Sequence, residues 1–233
     1  MRALQVIEAV AAAREMKHAA IAQSLDIPKS TTTLILDTLV QRGYLKKDEN
    51  TRAFSLGSRI LGIAGRYLAE MDVVRLSQPV MARLVLALDE SCFLVQAEGD
   101  AAVVLWRETC QHRLAYTLSL GERVGLAETA GGLSLLAWRD PSNWEPTLRA
   151  GGVTDAEAIA DTVRQLRAIR GGAVAVCVNG HVREVSSLAV PLLNSLGECV
   201  AALSVAIPSS RLDPAKQAAI EEALQAARGQ VFR

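Results

Sequence analysis

Four cysteines and three histidines are the side chains best suited to nucleophilic or metal chemistry in this 233-residue chain. Cys92, Cys110, Cys177 and Cys199 are widely spaced, with no Cys-x-x-Cys pair and no histidine at zinc-finger distance, so no metal site is expected. Only Val178, Asn179 and Gly180 separate Cys177 from His181, a gap that invites a thiol nucleophile. A buried strand cysteine near an exposed histidine is the commoner arrangement. There is no glycine-rich phosphate loop, no His-Glu-x-x-His, no nucleophile elbow and no convincing pair of acids. These residues read as free buried thiols in a reducing cytosol, without cofactor and without catalysis.

A different chemistry is concentrated near the N-terminus. Lys29, Ser30, Thr31, Thr32 and Thr33 follow the turn Asp26-Ile27-Pro28, where Pro28 suits the start of a helix. The first turn of a helix carries free N–H groups and the positive end of its dipole, and so receives a phosphate. Hydroxyls there can bond phosphate or base edges, and a threonine methyl can rest on a thymine methyl. The alternative is that Ser30 or Thr31 only caps the helix while the other threonines are solvated. Lys46, Lys47 and Arg52, a few residues on, would hold backbone phosphates and add affinity rather than sequence choice.

The elements that must position these groups follow from periodicity. Leu4, Ile7, Val10 and Ala11 predict one buried face of a helix over Arg2–Ala13, and Met16–His18 a short break. A brief helix over Ala19–Leu25 buries Ile21 and Leu25. A third helix runs from Pro28 to about Arg42, with Ile35, Leu36, Leu39 and Val40 inward and Gly43 as its stop. Tyr44–Lys47 and Arg52–Leu56 predict two strands around a polar tip. Three helices and a hairpin outline a winged helix-turn-helix over residues 1–57, although a small protein-binding bundle has the same outline.

Beyond it, Leu61, Ala64, Leu68 and Met71 recur at helical spacing, with Ile60 and Tyr67 beside them, and predict a linker helix over 58–74 with a face for a partner. Val80, Met81, Leu84, Val85 and Leu88 mark another helix, with Pro79 near its start. Strands are expected over Cys92–Ala97, Ala101–Trp106, Leu114–Leu118, Ala173–Val178, Val185–Leu193 and Cys199–Ile207. Helices are expected over Ala130–Trp138, Ala156–Ile169 and Pro214–Ala227, with Pro141, Asn143 and Pro146 interrupting regular structure. The fold class is therefore α+β, with a sensor domain over 75–233 built on a mixed or antiparallel sheet with flanking helices.

Composition agrees with two soluble domains. Half of the residues are apolar, and 25 basic residues balance 25 acidic ones. Such neutrality excludes a general nucleic-acid coat but allows a local basic face, and residues 1–57 hold eight Lys or Arg against six Asp or Glu. No apolar run is long enough to span a membrane and no signal-peptide pattern opens the chain, so a cytoplasmic protein with no membrane partner is expected.

Segments along the whole chain resemble the IclR-type transcriptional regulators. They are Arg2–Glu8, Ala22–Thr31, Leu39–Leu45, Phe54–Gly57, Leu126–Ala137, Ala189–Leu192, Ala202–Val205 and Ser209–Leu212. The resemblance implies a winged-helix reader of double-stranded operator DNA, probing palindromes as a homodimer or dimer of dimers, and a GAF-like domain that senses a small organic effector. It also implies a repressor rather than an activator. Two departures stand out. Leu34 occupies a recognition-helix position where members often carry arginine. Glu184 and Ser187 stand where members often have glycine and cysteine.

The resemblance places the effector cavity against the sheet, under Leu126, Glu128, Thr129, Ala130 and Gly131 and beside Ser186, Ser187 and Leu188. Small residues at a helix start offer N–H groups to a carboxylate, and the serines offer hydroxyls. Alternatively, Gly131 and Gly132 only allow close packing and the serines bond nearby backbone. A small organic acid or aromatic breakdown product is the expected effector. Glu128 and Glu184, if both face inward, favour a neutral, amine-bearing or aromatic one. Two other functions stay open: a ligand-binding module without DNA activity, and a metabolite-processing enzyme.

Overall fold

The computed structural model describes residues 2–113 and 115–232. It divides into two compact units, Met1–Glu70 and Met71–Arg233. The first contains α1 (Arg2–Ala13), β1 (Glu15–Lys17), α2 (His18–Ser24), α3 (Lys29–Gln41), β2 (Leu45–Lys47), β3 (Ala53–Leu56) and α4 (Ser58–Ala69). Val6, Val10, Ile21, Ile27, Leu36 and Leu39 form its core, and Leu45 and Phe54 of the wing close over them.

Two expectations need correcting here. The buried face of α1 is Val6 and Val10 with Ala3 and Ile7 beside them, whereas Leu4 is 63% exposed and Ala11 also faces solvent. The stripe is thus rotated by about one residue, because alanine pads both sides of α1 and blurs its apolar edge. The break at Met16–His18 is partly a strand. β1 pairs antiparallel with β3, with Met16 opposite Phe54, giving a three-stranded sheet in the order β1-β3-β2. Three residues are too few to show alternation by themselves. At the end of the wing, the Gly57 N–H donates to the Tyr44 carbonyl (2.8 Å), which crosses the chain back over the end of α3.

In contrast to its neighbours, α4 buries none of its side chains, and Leu61 (75% exposed) and Tyr67 (58%) stand clear of the core.

The second unit is a six-stranded antiparallel sheet between two layers of helices. Its strands are β4 (Ser91–Glu98), β5 (Ala101–Glu108), β6 (Arg123–Gly125), β7 (Ala175–Val178), β8 (Val185–Leu193) and β9 (Cys199–Pro208), in the spatial order β6-β5-β4-β9-β8-β7. α5 (Asp72–Leu88) and α9 (Pro214–Arg228) cover one face, while α6 (Ala130–Ala137) covers the other, backed by α8 (Ala156–Arg170). All eight residues of α6 are buried, as expected for a helix that is apolar on every side and enclosed by sheet and helix.

Three further corrections belong to this unit. The third strand is Arg123–Gly125, and residues 115–118 have no regular structure. Leu114 itself lies outside the described residues. α5 begins eight positions before Val80, so Pro79 sits inside it, where its missing N–H leaves the helix ladder one bond short. A helix absent from the sequence reading, α7 (Trp144–Ala150), follows a 3-10 turn at Pro141–Asn143; Pro146 falls in its first turn, where no N–H is required.

Candidate functional site

Helix α3 starts without a side-chain cap. The Thr32 N–H bonds the Pro28 carbonyl (2.9 Å), but the N–H groups of Lys29, Ser30 and Thr31 have no partner among the described residues. Capping by Ser30 or Thr31 is therefore not what these hydroxyls do. Lys29 and Ser30 are exposed and Thr31 is half-buried, so the uncapped turn is open to an anion.

Thr32 is a correction to the expected DNA-facing set. It is completely buried, and its hydroxyl donates to the Pro28 carbonyl at 3.1 Å. The signal was available: Thr32 precedes Ile35 and Leu36 by three and four residues, so it continues their inward stripe. Thr33 is exposed, yet its hydroxyl is engaged on both sides, with the Lys29 carbonyl (3.0 Å) and His18 Nε2 (2.9 Å). Its methyl group remains for contacts. Leu34 stands out from the same side of α3, 69% exposed.

On the wing, Lys46, Lys47 and Arg52 are all exposed. Asp48 holds the tip by accepting from the N–H groups of Asn50 (2.9 Å) and Thr51 (2.7 Å), and the Thr51 and Asn50 N–H groups pull its carboxyl below the usual range. Arg52 pairs with Glu49 at 3.3 Å, a solvent-exposed pair easily exchanged for a phosphate. Lys47 lies over the Phe54 ring, 5.9 Å from its centre.

In the second unit a cavity lies between the sheet and the start of α6. Its volume is about 30 Å3, within about 450 Å3 of atom-free space that runs into solvent. Phe93 and Val95 of β4, Ser187 of β8, and Ser204 and Ala206 of β9 form its floor. Glu128, Thr129 and Gly131 form one wall, and Tyr116, His181 and Val182 form the outer one. As it stands the cavity holds one or two waters, so a larger molecule enters only as the outer wall shifts. A wider depression of about 570 Å3 shares Tyr116 and Val185 with it and contains Arg183 and Glu184.

Of the expected effector residues, Glu128, Thr129, Gly131 and Ser187 line this cavity, and four others do not. Ser186 and Leu188 alternate to the opposite side of β8, where the Ser186 hydroxyl meets that of Ser209 at 2.8 Å. Leu126 and Ala130 are buried in the core beneath α6. Gly132 is there for close packing, since a Cβ at this position would lie 2.4 Å from the Leu126 carbonyl oxygen. Tyr116, His181 and Val182 were missed by sequence reasoning. The β7–β8 hairpin, with Cys177 opposite Ser187, carries residues 179–184 to the cavity, and that register is not visible in a linear pattern.

Hydrogen bonds around α6 decide what the cavity can offer. The Ala130 N–H donates to Ser187 Oγ (3.0 Å), and the Gly132 N–H to Thr129 Oγ1 (3.0 Å). Glu128 Oε2 meets His181 Nδ1 at 2.7 Å and accepts from the Gly125 N–H at 3.3 Å. Cys177 and His181 are not joined as a nucleophile and base: the thiol reaches the Glu128 carbonyl (3.5 Å), while the imidazole takes the Glu128 carboxylate. Burial also raises the Cys177 pKa, which disfavours a thiolate. The Tyr116 hydroxyl is buried without a partner among the described residues, and burial, with Glu122 and Glu128 nearby, pushes its pKa up to about 12. Its ring stands edge-on to Phe93, with centres 6.1 Å apart. Among the described residues no cluster could hold a metal, and no helix is long and apolar enough to cross a membrane.

Comparison with known proteins matches both units. Residues 1–49 match the IclR helix-turn-helix domain, and residues 65–233 match the family described as Bacterial transcriptional regulator IclR C-terminal. The chain is 27% identical to the HTH-type transcriptional regulator BhcR of Paracoccus denitrificans over 236 residues, covering 97% of this chain and 84% of that one. It is 26% identical to the HTH-type transcriptional repressor AllR of Klebsiella pneumoniae over 202 residues, 83% of this chain and 73% of that one. An IclR homolog from Microbacterium hydrocarbonoxydans, solved in complex with 4-hydroxybenzoate, shares the fold with a TM-score of 0.83 at 24% identity, covering 99% of this chain and 95% of that one. With the uncapped helix and wing in one unit, the sheet and cavity in the other, and family matches across both, the chain belongs to the IclR family of bacterial transcriptional regulators, DNA-binding proteins with an effector-binding domain.

Proposed function

We propose that this protein is a sequence-specific repressor, reading a palindromic operator through α3 and releasing or tightening its hold when a small organic effector fills the cavity beside α6. The observation that carries the reading is the uncapped, exposed start of α3, flanked by Lys46, Lys47 and Arg52 on the wing. In this arrangement the free N–H groups, Lys29 and the wing cations take phosphates. Ser30, the Thr33 methyl and Leu34 face base edges, where an apolar group suits a thymine methyl. The protein works as a homodimer or a dimer of dimers, joined through α4, whose Leu61, Ile63 and Tyr67 are exposed, because a palindrome is read by a two-fold. Repression follows the likeness to AllR, and a small aromatic effector follows the complex of the Microbacterium homolog with 4-hydroxybenzoate.

Binding to the chain's own upstream DNA, measured over a range of salt, tests the reading. Lys29→Ala is expected to lower the salt slope by about one and weaken all sequences alike. Leu34→Asp is expected to lose preference at one A·T position by about 1 kcal/mol or more, since a charge replaces the apolar contact with a thymine methyl. Unchanged affinity and base preference in the combined Lys29, Ser30 and Leu34 alanine variant would remove α3 from the interface.

A further inference from the structure

The cavity beside α6 carries more information than its position. Among its lining residues the only ionisable side chains are Glu128, His181 and Tyr116, and no lysine or arginine reaches it. The N–H groups at the start of α6 that would receive a carboxylate are largely spent, Ala130 on Ser187 and Gly132 on Thr129. The carboxylate of Glu128 is already fixed in the wall by the Gly125 N–H and His181. An anion entering here would face a like charge with no permanent cation to offset it.

Two groups describe what would fit instead, one of them buried without a partner among the described residues. Tyr116 Oη is buried and bonded to nothing among the described residues, although leaving such a group unpaired is costly. As a phenol at neutral pH it donates. His181 uses Nδ1 on Glu128, so the proton there leaves Nε2 an acceptor in the neutral ring. A single ligand hydroxyl can accept from the phenol and donate to the imidazole at once. The remaining floor, Phe93, Val95 and Ala206, is apolar and suits a ring or an alkyl body.

We propose that the cavity takes an uncharged, hydroxyl-bearing apolar molecule of the phenol or benzylic-alcohol class, and that Glu128 is the residue that excludes carboxylates. This rests on the reading of the cavity as the effector site. It narrows that reading away from simple organic acids.

Calorimetric titration of the full chain with two matched probes, benzyl alcohol and benzoate, tests it. Benzyl alcohol is expected to bind at least about tenfold more tightly than benzoate. Tyr116→Phe should weaken the alcohol about five- to tenfold, the loss of one hydrogen bond, and leave benzoate behind it by a smaller margin. Glu128→Gln should strengthen benzoate and close the gap. Val182→Trp, which fills the outer wall from an exposed position, should abolish both. Benzoate binding as tightly as the alcohol to the unmodified chain, and lost in Val182→Trp, would overturn the ligand class while leaving the cavity as the effector site. Binding that Val182→Trp does not touch, or no binding of either probe at millimolar concentration, would overturn the effector-site reading and the ligand class with it. The unmodified chain alone decides between the two probes, and Val182→Trp, checked for an unchanged melting midpoint, assigns the binding to the cavity.

Discussion

Removing the Thr32 hydroxyl separates packing from recognition on α3. Because that side chain is buried and donates to the Pro28 carbonyl, Thr32→Val is expected to cost about 1 kcal/mol in urea denaturation and to leave operator preference unchanged. Lys29→Ala, at an exposed position, should do the reverse. The hydroxyl cluster was legible in the sequence as a group, but its members divide by helical phase: one faces the core, one binds its own helix and His18, and Ser30 stands free. Polarity alone could not make that division, since threonine fits either side. Asp48 gives a pH test at the same scale. Its folded pKa is depressed by the Thr51 and Asn50 N–H groups, so its contribution is present above the ordinary carboxylate range and lost as pH falls through the depressed value. Protection of the Asn50 and Thr51 amides against exchange, relative to their intrinsic rates, should therefore fall as pH drops below the ordinary carboxylate range and be lost at neutral pH in Asp48→Ala.

At the level of elements, close approaches and buried charges set what a substitution costs. A Cβ at Gly57 would lie 2.2 Å from the Gly43 carbonyl oxygen, where the chain leaves the wing and enters α4. Gly57→Ala is expected to destabilise the first unit by about 1–3 kcal/mol, as overpacking does, measurable as a lowered melting midpoint. In the second unit Glu90 is 2% exposed and is gripped by Arg211 through Nε (2.9 Å) and Nη2 (2.7 Å). Arg211→Leu strands that carboxylate in the interior and should cost about 3–5 kcal/mol. Long apolar runs such as β4, β5, β8 and β9, and the stripes of α8 and α9, were readable because their periodicity is sustained over many residues. Some short elements were not. β1 and β6 have three residues each and exist through the strands they pair with, and α7 contains a proline that reads as a breaker until its place in the first turn is known. The cavity was half legible for a similar reason: Thr129, Gly131 and Ser187 lie in recognisable segments, while Tyr116 and His181 arrive from irregular chain.

For the whole molecule, the division at Glu70 and Met71 predicts that the two units melt separately or nearly so, each on its own core. The proposed self-association through α4 predicts that residues 1–72 and the intact chain both sediment above monomer mass at micromolar concentration. A monomeric intact chain with full operator affinity would rule out that arrangement. The bareness of α4 has its own consequence. A twelve-residue helix with no buried side chain is close to the limit at which a helix holds its shape in water without help. If α4 is ordered by the proposed self-association, dilution frays it, and the concentration of chains able to grip DNA falls faster than the total concentration. Under the proposed repression, a cell holding few copies would have the gene open and one holding somewhat more would have it shut, with α4 as the census-taker before any effector arrives.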